Sequence, residues 1–467
     1  MNTGIFRGRA PGEVAVVGLG KSGRSAAELL ARDGQRVYAS DARAGDAARA
    51  AADGLQALGV AVQLGAHDLA RIARAALVVA SPGVPPDAPA LATARTAGVP
   101  IVGEIEVALH YLPSLRYIAV TGTNGKTTTT ALVGHMLRAL GLDAVDAGNI
   151  GTPLAALALA TSPPEWAALE LSSFQLHDTP SVRPTVGVVT NLAPDHLDRY
   201  ASVDEYYGDK ARLYANATSA ARWVTNADDA EAMRLYTRVL PRGTELPGET
   251  FTFSLHDAAS AASYDRGADV LTLLGAPLLP RREIALLGDH NVANALAAAL
   301  AVSVADAAHR TSDARARMAD ALRTFRALPN RMEVVGTFAG VTWINDSKAT
   351  NVSSTRVALD GMRQPYVLLL GGRHKGEPYT MLAEPFARHG RAILAYGEAA
   401  PIVAQDLDGL APVEVLGSDF DAVCARARAL AAPGEAVLLS PACSSFDMFA
   451  NYEARGIAFR ECAARPA

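Results

Sequence analysis

The sequence of 467 residues is poor in cysteine, lysine and aromatic residues. Its three cysteines, Cys424, Cys443 and Cys462, are too few and too irregularly spaced for a disulfide framework or a zinc site. A reducing, cytoplasmic compartment is therefore expected. With 48 acidic and 43 basic residues, the chain has no basic excess that would indicate a nucleic-acid partner.

Long apolar runs are also missing. The most apolar helical stretch, residues 294–304, falls short of the roughly 18 residues that a membrane span needs, so it predicts a buried helix. Residues 1–7 lack the apolar core of a secretory signal. These absences favour a cytoplasmic globular protein, and the length allows about three domains.

Lysine is the scarcer of the two strongly basic residues, with 38 of the 43 being arginine. A bias in the base composition of the gene explains an excess of arginine at surface positions where either cation is tolerated. A lysine that persists then marks a position where a guanidinium cannot replace an ammonium. The five such positions are Lys21, Lys126, Lys210, Lys348 and Lys375.

Short β-branched runs alternate with alanine-rich helical stretches along the whole chain, which predicts an α/β fold with largely parallel sheets. We predict three domains: residues 1–104, 105–328 and 329–467. The clearest strand candidates are Glu13–Gly18, Arg36–Asp41, Leu77–Ala80, Tyr117–Thr121, Thr185–Asn191, Val341–Asn345, Tyr366–Gly371, Arg391–Tyr396 and Ala436–Ser440.

A glycine loop follows the first predicted strand and begins a helix, and Asp41 ends the next strand. The loop reads Gly18, Leu19, Gly20, Lys21, Ser22 and Gly23. This spacing is typical of a Rossmann dinucleotide site, so NAD is one interpretation. The amides at a helix N-terminus favour any phosphate, however, and a uridine diphosphate satisfies the pattern equally well.

A second glycine loop has the parts of a P-loop, because a buried strand precedes it and a helix follows. It reads Gly122, Thr123, Asn124, Gly125, Lys126, Thr127 and Thr128. Val120 stands where the usual pattern has an earlier glycine, so this is a shortened variant. We assign Lys126 to the phosphates of ATP and Thr127 to magnesium.

Three further features suggest metal chemistry. Glu170 ends an apolar run, and a buried carboxylate without a partner is costly unless a cation compensates it. Residues 190–200 follow a predicted strand and are rich in oxygen and nitrogen ligands, among them Asp195, His196 and Asp198, although a polar turn with a helix cap would look the same. Lys210 lies in a stretch that resembles an amphipathic helix and alone would pass as a solvated residue.

Together these motifs resemble the Mur ligase family, and most closely the members that add D-glutamate. The resemblance covers all three predicted domains, and the segment from Asp346 to Asn351 is the one typical of the glutamate-adding members. The matching segments, in the family's order, are residues 122–128, 148–151, 170–175, 195–200, 290–295, 345–351 and 440–447.

The resemblance implies a Rossmann-like first domain that binds UDP rather than NAD, a central P-loop ATPase-like domain, and a Rossmann-like C-terminal domain that binds the amino acid. Lys210 would be carbamylated and, with His196, hold a second Mg²⁺, while Thr127 and Glu170 hold the ATP-side Mg²⁺. Lys126, His196 and Lys210 would be catalytic. The UDP-substrate set would be Gly18, Leu19, Gly20, Lys21, Ser22, Asp41, Ser81, Gly83, Asn149 and His196.

By the same resemblance, Asn294, Arg331 and Asp346 would complete the ATP site. The D-glutamate set would be Lys348, Thr350, Lys375, Ser445 and Phe446. His374 stands where relatives carry an acidic residue.

The implied reaction phosphorylates the L-alanyl carboxylate of UDP-N-acetylmuramoyl-L-alanine and then forms an amide with D-glutamate, a step of peptidoglycan precursor synthesis, in a monomeric enzyme. The alternatives are another Mur ligase or a folylpolyglutamate synthetase-like ligase. An NAD-dependent oxidoreductase and a P-loop binding protein without amide chemistry are alternatives from other classes.

Overall fold

The computed structural model describes residues 12–196, 199–241 and 243–465. The chain forms two compact units: residues up to Leu279 together with Ala295–Leu322, and Pro280–Asn294 together with the chain from Arg323 onwards. Residues 1–7, considered above for a secretory signal, and Asp198 lie outside the described residues. Across the described ranges, no helix is both long and apolar enough to cross a membrane.

The first unit begins with a five-stranded parallel sheet of order β3-β2-β1-β4-β5. The first strand lies in the centre and helices cross between neighbours, which is the doubly wound arrangement of a Rossmann-like domain. Its elements are β1 (Val14–Val17), α1 (Lys21–Arg32), β2 (Val37–Asp41), α2 (Asp46–Gln56), β3 (Ala61–Leu64), α3 (Leu69–Ala73), β4 (Leu77–Ala80), α4 (Pro89–Thr96), β5 (Ile101–Gly103) and α5 (Glu104–Tyr111).

The same unit contains a nine-stranded sheet of order β14-β13-β12-β11-β10-β9-β6-β8-β7, parallel from β7 to β12. Its strands are β6 (Arg116–Thr121), β7 (Ala144–Gly148), β8 (Trp166–Glu170), β9 (Val186–Val189), β10 (Arg222–Asn226), β11 (Glu249–Ser254), β12 (Ala262–Asp265), β13 (Val270–Leu273) and β14 (Ala276–Pro280). Its helices are α6 (Lys126–Ala139), α7 (Leu154–Ala158), α8 (Ser173–His177), α9 (Val203–Ala211) and α10 (Ala230–Arg234).

Two helices follow in the chain, α11 (Asp289–Ala305) and α12 (Ser312–Thr324). Residues 295–305 of α11 are buried, as predicted from their apolar sequence.

The second unit holds a six-stranded sheet of order β15-β16-β20-β17-β18-β19, in which only the β15–β16 pair is antiparallel. Its elements are β15 (Glu333–Phe338), β16 (Val341–Asn345), α13 (Val352–Gly361), β17 (Tyr366–Gly371), α14 (Ala383–His389), β18 (Gly390–Tyr396), α15 (Ala400–Asp406), β19 (Val413–Val415), α16 (Phe420–Leu430), β20 (Ala436–Leu439) and α17 (Tyr452–Ala464).

The α/β class is confirmed, and each of the nine predicted strands is present. Their apolar runs are buried on both faces, as parallel strands covered by helices require. The first two sheets lie in one compact unit rather than in separate ones.

A buried carboxylate at the start of α5 joins the first sheet to the second. Glu104 is 1% exposed, and its Oε1 accepts a hydrogen bond from the amide of Ala155 in α7, while Oε2 has no partner among the described residues. Burial raises the pKa of Glu104 to about 7.

Candidate active site

A cleft of about 810 Å³ lies at the carboxyl ends of β1, β2 and β4. Ligand sites of doubly wound sheets occupy this place. Among the predicted UDP-side residues that line it are Gly18, Gly20, Lys21, Ser22, Asp41, Ser81, Gly83 and Asn149. Of that predicted set, Leu19 and His196 are not among the described lining residues.

Asp41 is already hydrogen-bonded at both oxygens. The Leu19 amide donates to Oδ2 at 2.8 Å, and the Arg43 amide donates to Oδ1 at 2.8 Å. The Arg43 guanidinium bonds both oxygens at 3.1 Å. Burial would raise the pKa of Asp41, but the bonds from Arg43 and Leu19 outweigh it and lower the pKa. Asp41 therefore shapes the cleft. Arg43, which no sequence motif indicated, lines the cleft beside it with a side chain that is 75% exposed.

The phosphate loop connects β6 to α6, as predicted. Gly122 and Gly125 have φ angles of +140° and +80°, which side-chain-bearing residues rarely adopt. A Cβ at Gly122 would also lie 2.0 Å from Thr190 Oγ1. The loop is braced by Asn191, which accepts from the Asn124 amide at 2.9 Å and donates to the Asn124 carbonyl at 2.9 Å. Thr190 and Asn191 directly follow β9, and sequence reasoning did not identify their role.

Two lysines converge on this loop. Lys126 Nζ donates to the carbonyl oxygens of Gly122 at 2.9 Å and Thr123 at 2.7 Å. Lys210 Nζ donates to the same Gly122 oxygen at 2.8 Å. Lys210 is only 1% exposed, so the interpretation of Lys210 as a solvated residue is wrong. Burial, and then the charge of Lys126, hold the pKa of Lys210 well below its usual value.

Tyr206 links Lys210 to the loop. Its ring centroid lies 4.6 Å from Lys210 Nζ, and its hydroxyl lies 3.3 Å from Thr123 Oγ1. An aromatic face toward the amine and a hydroxyl toward the loop keep this side of the site closely packed.

Glu170 ends β8 and is 1% exposed. Asn149 Nδ2 donates to its Oε1 at 2.8 Å, whereas Oε2 is buried without a hydrogen-bond partner in the described part of the chain. Such an unsatisfied carboxylate oxygen fits a bound cation. Thr127, in the first turn of α6, is buried too.

His196 has a positive φ of 55°. Its amide donates to Asp195 Oδ1 at 2.8 Å, and its Nε2 lies 3.7 Å from Asp195 Oδ2. The edge of its ring packs against Phe174, with centroids 5.3 Å apart. Within the described ranges, no three His, Cys, Asp or Glu side chains form a ready metal site.

In the second unit, three loops lie at the carboxyl ends of the adjacent parallel strands β16, β20 and β17. The first carries Lys348 and Thr350, the second Ser445, and the third Lys375. The fully buried Arg455 joins two of them, because its Nη2 donates to the carbonyls of Ser347 at 2.8 Å and Cys443 at 3.0 Å. The Arg373 amide joins the third by donating to the Ser444 carbonyl at 2.9 Å.

Phe446, predicted for D-glutamate, is 63% exposed. Tyr452 presents its ring 5.0 Å from Lys348 Nζ, and sequence reasoning missed this contact. Tyr452 is the first residue of α17, six residues after Phe446, and no periodic pattern in the sequence distinguishes its ring.

A side-chain relay supports the loop of Lys375. The Tyr379 hydroxyl lies 3.0 Å from His374 Nδ1 and 2.9 Å from Cys443 Sγ. The Tyr379 hydroxyl therefore connects His374, which precedes Lys375, to the loop that carries Cys443 and Ser445.

The predicted nucleotide residues outside the phosphate loop, Asn294, Arg331 and Asp346, belong to the second unit. Asn294 Nδ2 donates to Asn291 Oδ1 at 3.1 Å. Asp346 is buried and accepts from Ser440 Oγ at 2.9 Å, and burial raises its pKa to about 7.

Three family models match the chain. The Mur ligase MurD-like N-terminal domain matches residues 12–103, the Mur ligase middle domain residues 120–302, and the Mur ligase glutamate ligase domain residues 330–443.

Relatives named UDP-N-acetylmuramoylalanine–D-glutamate ligase align along nearly the whole chain. The protein from Anaeromyxobacter dehalogenans is 41% identical, with 97% of this chain and 98% of the relative covered. The one from Myxococcus xanthus is 40% identical, with 96% and 97% covered.

Two solved structures share the fold at low sequence identity. The UDP-N-acetylmuramate-alanine ligase MurC from Thermotoga maritima is 19% identical with a TM-score of 0.60, covering 97% of this chain and 100% of that one. A pseudomurein peptide ligase type C from Methanothermus fervidus is 19% identical with a TM-score of 0.59, covering 97% and 99%.

Proposed function

The chain belongs to the Mur ligase family, and we propose that it is the ATP-dependent ligase that joins D-glutamate to UDP-N-acetylmuramoyl-L-alanine. The observation that carries the choice of amino acid is the near-full-length match to relatives with that name. The convergence of Lys126 and Lys210 on the phosphate loop supports the activation chemistry.

Activation of the carboxylate uses ATP at the phosphate loop. Amides of residues 122–126 hold the phosphates, and Lys126 swings from the Gly122 carbonyl to the transferring phosphoryl group, where its charge stabilises the transition state. The L-alanyl carboxylate oxygen attacks the γ-phosphorus, ADP leaves, and an acyl phosphate forms. The D-glutamate amine then attacks the acyl carbon, loses a proton, and expels phosphate.

Magnesium fits the residues at the edge of the phosphate loop. Thr127 and Glu170 would hold one ion, and His196 with a carbamylated Lys210 the second. The ions would supply charge neutralisation for the phosphoryl oxygens. Asn149 orients Glu170 through its bond to Oε1.

The environment of Lys210 supports its carbamylation. A neutral amine is the form that attacks CO₂, and the low pKa of Lys210 makes that form available. The new N–C bond gives a carbamic acid that loses its proton, so an amine becomes a carboxylate-like ligand. Arginine cannot undergo this reaction under the same conditions because its guanidinium stays protonated.

The two substrates that are joined bind to different units of the chain. The cleft of the first sheet takes the uridine diphosphate, and the loops of Lys348, Thr350, Lys375, Ser445 and Phe446 take D-glutamate, whose two carboxylates suit ammonium and hydroxyl groups. We assign substrate-binding, ATP-binding and amino-acid-binding domains with boundaries near residues 104 and 328, in a monomeric cytoplasmic enzyme.

Phosphate release tests the proposal. Release is expected only when UDP-N-acetylmuramoyl-L-alanine, D-glutamate, ATP and Mg²⁺ are present together. Full-rate release with another amino acid, and none with D-glutamate, would favour another Mur ligase. Activity with a folate acceptor would favour a folylpolyglutamate synthetase-like ligase.

A further inference from the structure

A second cavity, of about 270 Å³, adjoins the cleft at the first sheet. It shares the loop residues Ser81, Pro82 and Val84 with that cleft. Its other walls come from β4, α4, α8, α9 and the segment after β9. Apart from Ser81, no residue that we assigned to a substrate or metal is among its described lining residues.

The interior of this cavity is apolar and flat. Ala80 and Leu91 form a buried floor, 4% and 3% exposed. Phe174 and Tyr200 form a wall in which the rings stack at a centroid distance of 5.3 Å and an angle of 12°. These surfaces suit a flat apolar body of the size that small ligand pockets hold.

The rim of the cavity is cationic. Arg95, His177 and Arg199 line it and are exposed. Asp209 is already held by His177 Nδ1 at 2.8 Å and by the hydroxyl of Tyr200 at 3.0 Å. Among the described residues neither arginine forms an ion pair: Arg95 Nη1 donates to the Pro86 carbonyl, and the Arg199 guanidinium lies 5.2 Å from the Phe174 ring centroid. Both charges can therefore attract a carboxylate.

Asp178 is the other carboxylate of the lining. Burial raises its pKa, against the opposing charges of His177 and Arg95. Asp178 is less exposed than Arg95 and Arg199, so a carboxylate at the rim meets the guanidinium groups first.

The aromatic wall also contacts the proposed catalytic residues. The Phe174 ring lies 5.3 Å from that of His196, and the Tyr200 ring lies 5.4 Å from that of Tyr206. Tyr206 in turn packs on the Lys210 amine. A ligand that shifts the wall therefore has packed contacts with both His196 and Lys210.

We propose that this cavity binds an apolar carboxylate, with its flat body against Phe174 and Tyr200 and its carboxylate at Arg95 and Arg199, and that the bound acid changes turnover. The effect on turnover rests on the proposed ligase function, whereas binding does not.

Calorimetric titration of the full chain with 2-naphthoate tests the site, and 2-naphthamide is the uncharged comparison. We expect one molecule to bind, at least tenfold tighter than the amide. Arg95→Ala should weaken binding at least tenfold without disturbing the fold. Leu91→Trp should abolish binding by filling the floor, whereas Ala92→Trp, on the exposed side of the same helix, should leave it unchanged.

Saturating UDP distinguishes this cavity from the nucleotide cleft. Binding of 2-naphthoate that persists with UDP present, together with a change in kcat at unchanged KM for the UDP-sugar, supports the proposal. Displacement by UDP, equal binding to Leu91→Trp, or no binding overturns it. Binding by a chain that lacks ligase activity would refute the proposed function and leave the site standing.

Discussion

Lys126 and Lys210 donate hydrogen bonds to one carbonyl oxygen, that of Gly122, at 2.9 and 2.8 Å. Burial of Lys210, which is 1% exposed, and then repulsion by the charge of Lys126 lower the pKa of Lys210. The phosphate loop therefore brings Lys126 next to a buried lysine whose pKa is lowered. Carbamylation would turn that repulsion into attraction.

Substitution of Lys210 tests the carbamate. Lys210→Arg keeps a cation but cannot be carbamylated, so we expect loss of nearly all ligation, and Lys210→Ala should lose it too. Added formate or acetate should restore part of the activity of Lys210→Ala by supplying the missing carboxylate. Unchanged activity of either variant would contradict the account. A ¹³C carbamate signal from the wild-type chain in labelled bicarbonate, absent from Lys210→Ala, is the independent readout.

Asn149→Ala tests the orientation of Glu170. Loss of the 2.8 Å bond leaves both carboxylate oxygens of Glu170 without their orienting donor. We expect metal affinity to fall by about 10–100-fold, as for other residues that orient metal ligands. Mn²⁺ titration followed by electron paramagnetic resonance measures this without turnover. Affinity equal to wild type would mean that Asn149 does not orient Glu170 for the ion.

Tyr379→Phe tests the relay behind Lys375. The variant removes the hydroxyl shared by His374 and Cys443, and we expect KM for D-glutamate to rise about 2–10-fold with KM for ATP unchanged. Tyr366→Phe is the matched control, because its buried hydroxyl has no partner among the described residues. Equal kinetic effects of the two variants would refute a positioning role.

Glu104 should make stability depend on pH. Its pKa is about 7 in the folded chain against 4.5 as the ordinary value, so the folded state binds the proton more tightly. The resulting stabilisation is full below pH 4.5 and is lost as the pH rises through about 7, a change of about 3 kcal/mol. The free energy of unfolding measured in urea should be lower at pH 8 than at pH 5 in the wild type. This difference should be smaller in Glu104→Gln. Glu249 is exposed, so Glu249→Gln should keep the wild-type difference between the two pH values. A wild-type difference in Glu104→Gln would contradict the account.

Much of this molecule could be predicted from sequence because its strands are short apolar runs bounded by glycine or polar loops. β4, β16 and β17 match their predicted bounds. The phosphate loop was predictable because glycine and lysine stand at fixed spacing between a strand and a helix.

What sequence did not reveal are contacts between segments distant in the chain. The burial of Lys210 depends on a carbonyl 88 residues away, which helical periodicity does not encode. The bracing of Asn124 by Asn191 spans 67 residues. Arg43 belongs to a loop and Tyr452 is the first residue of α17, and at neither position does a periodic pattern indicate which side chain turns toward a ligand.

The most direct test is the mass of the product formed from UDP-N-acetylmuramoyl-L-alanine, ATP and Mg²⁺ with an equimolar mixture of D-glutamate, L-glutamate, L-lysine and meso-diaminopimelate. Chiral analysis of the hydrolysed product distinguishes the two glutamates. The account predicts a single product that carries one D-glutamate. A product that carries another amino acid, or no product while ATP is bound, would contradict it.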